Sequence, residues 1–324
     1  MASKLNMIQI AKLTSFKSFA EMLQMLPDDN SCREYLELIR WNGEQRCPDC
    51  GSTENYKLKA KGIFKGLYKC SNCRERYTVT VGTMFEGSHI SLRKWFIAIY
   101  IFSSHKKGIS SHQLARDLGI TQKSAWFMLG RIRLAFEGKE VKQMDGVIAA
   151  DETFIGGKNK NRHADKKVLE SQGRSVKDKK PVLGLLKAGG NVHLSVVPDT
   201  KATTLKLIIE TMVATGSIIV TDEWLGYSDL SNKYPHVVIN HKEYEYVRGA
   251  FHTNGIENFW SLLKRGIYGI YHQVSPKHLH RYCNEFSYRY NARKLTDKNR
   301  FDLSLTNTEC RLTYKQLIKN NPEL

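Results

Sequence analysis

Two cysteine pairs constrain this chain more than any other feature in it. Cys47-Pro-Asp-Cys50 and Cys70-Ser-Asn-Cys73 are separated by 19 residues. Four thiolates at this spacing suit a tetrahedral Zn²⁺ with every position filled by protein, which is the mark of a structural centre, not a catalytic one. Between the pairs, Tyr56-Lys-Leu-Lys and Leu67-Tyr-Lys alternate as strands do, so residues 47–80 read as a zinc ribbon held by Cys47, Cys50, Cys70 and Cys73. A single CxxC also serves thiol–disulfide exchange; two pairs in a basic, strand-forming stretch favour metal. Lys57, Lys59, Lys61, Lys65 and Lys69 sit between them, either on a solvated hairpin face or against phosphates. Cys32, Cys283 and Cys310 are left over, and seven cysteines without a signal-peptide layout argue against a disulfide framework.

Fifty Lys and Arg against 32 Asp and Glu give a net charge of +18 over 324 residues, which calls for a polyanionic partner. Charge alone would equally suit a ribosomal type of protein. No apolar run reaches the ~18 residues of a membrane span. Residues 1–46 carry two short helical patterns separated by Pro27-Asp28-Asp29-Asn30, with Ser31 as a candidate cap for the second, and state no chemistry. From Ser91 a helix buries Trp95, Ile99 and Phe102; Ser111–Leu118 forms a second, Gly119 the turn, and Thr121 caps a third through Trp126, Leu129 and Ile132. Residues 90–136 therefore read as a helix-turn-helix, with Gln122, Lys123 and Ser124 opening its recognition helix and Arg131 and Arg133 further along as DNA contacts. Three-helix units that only pack share this pattern.

After a linker, Val147-Ile148-Ala149-Ala150 reads as a short buried strand delivering Asp151. Lys158–Lys180 reads as a basic loop. The strands Val182–Lys187 and Val192–Val197 form a hairpin, a helix spans Thr203–Ala214, and the run from Ser217 to Thr221 ends at Asp222. A short strand, Val237–Asn240, precedes a helix over His252–Arg265. That helix places Asn254, Glu257, Ser261 and Lys264 on one face, and Ile256, Phe259, Trp260 and Leu263 on the other. The succession is that of an α/β, RNase H-like core over 145–295, in which the first and fourth strands are neighbours and bring Asp151 and Asp222 together. Three carboxylates drawn close cannot all stay ionised without a cation. Mg²⁺ or Mn²⁺ answers this, and two such ions can clamp both oxygens of a phosphodiester under in-line displacement. Glu152 points to the opposite side of the strand; Asp145 and Asp199 are not placed to join. Residues 296–324 read as a C-terminal tail.

These segments resemble the DDE transposases of the IS1595 family, also called ISXO2-like, with Merlin elements as eukaryotic relatives. The resemblance runs along nearly the whole chain: CREYLELIRW, CPDCGS with CSNC, VTVGTMFEGSHISLRKWF, GISSHQLARDLGITQKSAWFMLGRIR, DETFIGGK, TDEWLGY, HTNGIENFWSLLKRGIYG and HRYCNEFSYRYNARK. It implies cleavage at the terminal inverted repeats of an insertion sequence and strand transfer to target DNA. Asp151, Asp222 and Glu257 would hold Mg²⁺, and Lys264 would contact a phosphate. Many members carry Asn as the third residue, so Asn254, one turn before Glu257, is the rival ligand. Glu257 is favoured because a carboxylate binds Mg²⁺ better than an amide and Lys264 follows it by seven residues. Trp224 is either a core aromatic or a stacking surface for an unpaired base; His252 is a cap or assists proton transfer. Tyr268, Tyr271, His278, His280 and Arg281 read as packing or polar positions. The resemblance further implies at least a dimer on DNA, in the bacterial cytoplasm on the nucleoid. A DNA-binding regulator with a silent core and a structure-specific nuclease without strand transfer are the other readings.

Overall fold

The computed structural model describes residues 15–137, 143–157, 159–169, 175–245 and 247–319. The chain divides into two compact units, one made of the residues up to Phe136 together with Lys294–Lys319, the other of Glu137–Arg293. No helix among the described residues is long and apolar enough to cross a membrane.

The first unit opens with α1 (Phe19–Met25) and α2 (Asp29–Trp41). Asp28, not Ser31, is the residue that caps α2. Its carboxylate accepts from the Ser31 N–H at 2.8 Å while the Ser31 hydroxyl accepts from the Asp28 N–H at 3.2 Å, so two backbone donors are satisfied reciprocally. Strands β1 (Asn55–Ala60), β2 (Ile63–Cys70) and β3 (Arg76–Tyr77) form an antiparallel sheet. The first two are joined at Lys61-Gly62, both at positive φ, as the twist of a tight hairpin demands. Three helices follow: α3 (Leu92–Ser104), α4 (Ser111–Leu118) and α5 (Gln122–Ala135). The hydroxyls of Ser91, Ser110 and Thr121 cap them, accepting from the N–H groups of Lys94, Gln113 and Ser124. Gly119 closes α4 in the left-handed region, where a glycine has no Cβ to clash.

The second unit is a five-stranded sheet flanked by helices. Its elements are β4 (Val147–Ile155), β5 (Lys180–Lys187), β6 (Val192–Val196), α6 (Ala202–Met212), β7 (Ile218–Thr221), β8 (His236–Val238), α7 (Asn254–Gly266) and α8 (Leu279–Asn291). The spatial order is β6-β5-β4-β7-β8; β5 is antiparallel to both its neighbours, while β4, β7 and β8 run parallel. The first and fourth strands are thus neighbours. One face packs Ala149, Val182, Leu186 and Leu194 against Ile256, Phe259, Trp260 and Leu263 of α7 and Phe286 of α8. The other packs Ile148, Ala150, Leu183 and Leu185 against α6 and Tyr227, in a 3₁₀ stretch over Leu225–Asn232. β4 runs on past Asp151 to Ile155, because β5 pairs with it from Ile148 opposite Lys187 to Ile155 opposite Lys180. Asp151 therefore lies within a strand, not at its end. Of the basic loop, Asn159–Asn161 and Ala164–Lys166 form short 3₁₀ turns; Lys158 and residues 170–174 lie outside the described residues.

The chain then returns to the first unit. Residues 296–319, expected as a tail, form α9 (Asp297–Thr306) and α10 (Tyr314–Ile318). Phe301 of α9 is fully buried, with its ring 5.8 Å from that of Phe16 and 5.5 Å from that of Phe96. The Tyr35 hydroxyl donates to Asp302 at 2.6 Å, and Leu317 of α10 packs on Gly130 of α5. Residues 320–324 lie outside the described residues.

Candidate active site

The alternation of β4 turns Asp151 toward α7 and Glu152 toward the opposite face. Carried two residues beyond the pairing of Ala149 with Val220, the parallel register of β4 and β7 brings Asp151 level with Asp222. Asp151 accepts hydrogen bonds from the Trp260 indole N–H on Oδ2 and from the Glu152 backbone N–H on Oδ1, both at 2.8 Å. Burial, foremost, and then the charges of Glu152 and Asp222 push its carboxyl up to about 7, while the Trp260 hydrogen bond pulls the other way. Asp222 sits just past the end of β7, and its Oδ1 accepts from the Trp224 N–H at 3.1 Å. Glu152 takes the hydroxyl of buried Tyr227 at 2.7 Å, and burial together with that neighbouring charge raises the Tyr227 phenol.

Trp260 reaches Asp151 because β5 offers no side chain beneath it. Gly184 pairs with Asp151 across β4 and β5, and a Cβ there would lie 2.6 Å from the Trp260 ring and 2.9 Å from Ile256 Cδ1. Trp260 is legible in the sequence only as an apolar helix position and Gly184 only as a strand interruption. Their joint role depends on a contact between a strand and a helix far apart along the chain, for which the local sequence carries no sign.

On the polar face of α7, Lys264 is half-buried, and burial lowers its ammonium pKa, with the Asp151 charge opposing and Lys179 assisting. Glu257 is half exposed; its Oε1 accepts from the Thr253 hydroxyl at 2.8 Å and lies 3.5 Å from His241 Nε2. Asn254 is exposed, and among the described residues its side chain makes no hydrogen bond. Asp151, Asp222 and Lys264 thus share one electrostatic neighbourhood, while Glu257 is held by its own partners. Among the described residues, only the four cysteines form a group of three or more His, Cys, Asp or Glu side chains with all ligand atoms within 4.8 Å. The three acids do not close to that degree, as mutually repelling carboxylates would not.

The cysteines do. The sulfurs of Cys47 and Cys73 are 3.6 Å apart, as are those of Cys50 and Cys70; a tetrahedral centre with Zn–S bonds of about 2.3 Å has sulfurs about 3.8 Å apart. The backbone N–H of Cys73, then that of Asn72, hold the Cys70 thiol down at about 7. The Glu75 N–H pulls Cys73 the same way, but burial and the three other thiols raise it to about 12. Four sulfur donors in this geometry fit a structural zinc.

Residues 143–291 match the family model of the ISXO2-like transposase domain, and residues 27–76 match that of the transposase zinc-ribbon domain of the same IS1595 group. The chain belongs to the IS1595 family. A protein of the transposable element ISH50 from Halobacterium salinarum is 27% identical over 265 residues, covering 78% of this chain and 88% of its own length. The transposase match contains Asp151, Asp222, Asn254, Glu257 and Lys264 together.

In this IS1595-family chain the expected DNA contacts divide. Gln122 and Lys123 are exposed and Ser124 is partly so; the Gln122 amide donates to Ser111 Oγ at 2.8 Å and Lys123 Nζ sits 4.8 Å from the Tyr314 ring centroid. Arg131 and Arg133 are 6% and 3% exposed, buried within the fold and not on its surface. Arg131 donates to the carbonyls of Leu312, Met84 and Glu86, and Arg133 lies over the Phe102 ring. The returning C-terminal segment covers α5 at Gly130 and Arg131, while Arg133 is held against Phe102 of α3, which is why a surface reading fails at both arginines. Trp224 is 38% exposed beside Asp222, and Leu225 is 79% exposed. His252 is exposed. The Tyr268 hydroxyl donates to the Gly156 carbonyl at 3.2 Å, and that of Tyr271 to buried Glu285, which is ion-paired with Arg289 at 2.7 Å. Burial lowers the His280 pKa, with Arg281 adding to the effect.

Proposed function

We propose that this protein is a DDE-type transposase that binds the terminal inverted repeats of its insertion sequence, cuts the DNA there, and joins the freed end to target DNA. The observation that carries the proposal is Asp151: a largely enclosed carboxyl with its pKa held near 7, level with Asp222, on the face of the sheet against which α7 brings Lys264, within the matched transposase domain. The sheet order, with its antiparallel second strand, supports an RNase H-like core. The capped α4–α5 pair supports a helix-turn-helix whose exposed Gln122 and Lys123 and partly exposed Ser124 face DNA.

Asp151, Asp222 and Glu257 would hold the Mg²⁺ or Mn²⁺ ions. When bound, such ions lower the pKa of an attacking water or 3′-hydroxyl and stabilise the leaving oxygen. Trp260 orients Asp151 and keeps its charged form accessible. Lys264 supplies a cation to a DNA phosphate beside the scissile bond. Glu257 is preferred to Asn254 as the third ligand because its carboxylate is oriented by Thr253 and His241. Two ends must be handled together, so the active species is at least a dimer on DNA.

The direct test is Mg²⁺-dependent cleavage of a fragment carrying the element's own end. The unmodified protein should cut, Glu257→Ala should bind without cutting, and Asn254→Ala should retain cleavage. A dead Asn254→Ala moves the third ligand one turn upstream. Binding without cleavage by the unmodified protein, under any divalent metal, makes it a regulator instead.

A further inference from the structure

Thr253, directly before α7, is 2% exposed, and its only hydroxyl proton goes to Glu257 Oε1 at 2.8 Å. Its oxygen is therefore left as an acceptor toward His241 Nε2 at 3.1 Å, so that nitrogen carries the ring proton. The same Nε2 is 3.5 Å from Glu257 Oε1. The backbone N–H of His241 donates to Glu223 Oε2 at 3.1 Å, and Glu223 is the residue after Asp222. A continuous set of hydrogen bonds thus leads from the strand end bearing Asp222 to the helix bearing Glu257.

The loop that carries His241 is itself braced. Glu245 takes Arg248 in a fork, with both contacts at 2.8 Å, and accepts the Asn240 N–H at 3.1 Å. Tyr244 turns the backbone at φ +60, and Arg248 and Phe251 exchange both backbone hydrogen bonds. A loop fixed in this way can hold an imidazole against one carboxylate oxygen. Of the two Glu257 oxygens, only Oε1 has a hydrogen-bond partner among the described residues.

We infer that His241 and Thr253 are positioning residues: together they fix the rotamer of Glu257 and its separation from Asp222, so that Oε2 faces a divalent cation. This rests on Glu257 being a metal ligand, as proposed above. Groups that orient a metal ligand without touching the metal are worth about 10–100-fold in metal affinity, and that is the effect expected here.

The test is Mn²⁺ binding to the full-length, zinc-loaded protein in the absence of DNA, followed by electron paramagnetic resonance of free Mn²⁺. Thr253→Val keeps the shape and removes the hydroxyl; it should raise the Mn²⁺ concentration for half-saturation by about 10–100-fold. His241→Leu should do the same, while Thr253→Ser should restore binding to near the unmodified level. His241→Leu and Thr253→Ser also keep the inference readable should Thr253→Val fail to fold. If Glu257→Gln weakens Mn²⁺ binding but Thr253→Val and His241→Leu bind like the unmodified protein, the positioning role is wrong and Glu257 remains a ligand. If Glu257→Gln binds Mn²⁺ as the unmodified protein does, Glu257 is no ligand and the inference falls with it.

Discussion

Asp151 is the residue whose environment is most at odds with its charge. Its folded pKa of about 7 stands above the ordinary 3.8, chiefly through burial. Between those values the folded chain keeps a proton that the unfolded chain has released, so stability falls as pH rises through this window and levels off above it. Holding the carboxyl at about 7 in place of 3.8 corresponds to about 4 kcal/mol. Asp151→Asn carries no charge at any pH. It should unfold at a higher temperature than the unmodified protein at pH 8, match it near pH 4, and cleave no DNA. Equal melting at pH 8 would show that the carboxylate is not destabilised in the fold. An acid placed after an apolar run is easily read from sequence, as Asp151 and Asp222 were, and Glu257 stood out on the polar face of its helix. The indole that modulates Asp151 stands 109 residues away along the chain, and nothing local to Trp260 distinguishes it from its apolar neighbours. Arg131 and Arg133 fail for the converse reason: a basic residue at helical spacing reads as surface until packing covers it, for Arg131 by a distant segment at Leu312 and for Arg133 by Phe102 of α3.

At the scale of elements, the contact of α7 with β5 decides whether the site is correctly set. Gly184 is where a strand gives up its side chain so that a helix can bring an indole down to the carboxylate beside it. Gly184→Ala would push a methyl into the Trp260 ring and Ile256. Overpacking of this kind costs about 1–3 kcal/mol, and the displaced indole should leave Asp151 with a still higher pKa. Cleavage by Gly184→Ala should therefore be weak at neutral pH and recover as pH is raised; a reduced rate with an unchanged pH profile would mean that only packing was damaged. Helices with hydroxyl caps and apolar faces were legible nearly to the residue, as in the start at Ser91 and the cap at Thr121. β4 was read too short because its second half, Thr153 to Ile155, owes its strand character to pairing with β5, a partner that begins 25 residues later at Lys180.

At the scale of the molecule, the catalytic unit is an insertion within the other unit, whose chain leaves at Phe136 and returns at Lys294. A metal-binding cysteine pattern and the order of strands can be read without knowing this. A pair of short C-terminal helices cannot be assigned to a partner from their own sequence, so they read as a tail. Phe301→Ala should cost about 3–5 kcal/mol and act on one unit alone: amide protons of α2 and α3 should lose protection from hydrogen exchange while those of β4 and β5 keep theirs. Uniform loss in both units, or none, would contradict the division. The order of synthesis gives this topology a further meaning. Helices α2 and α3 leave the ribosome early, yet the ring they close around is translated after the entire catalytic sheet. A polypeptide cut short behind that sheet would own an assembled catalytic core and an unfinished first unit. Shortened copies of this chain would then lack a finished first unit, and with it the settled surface that carries Gln122 and Lys123.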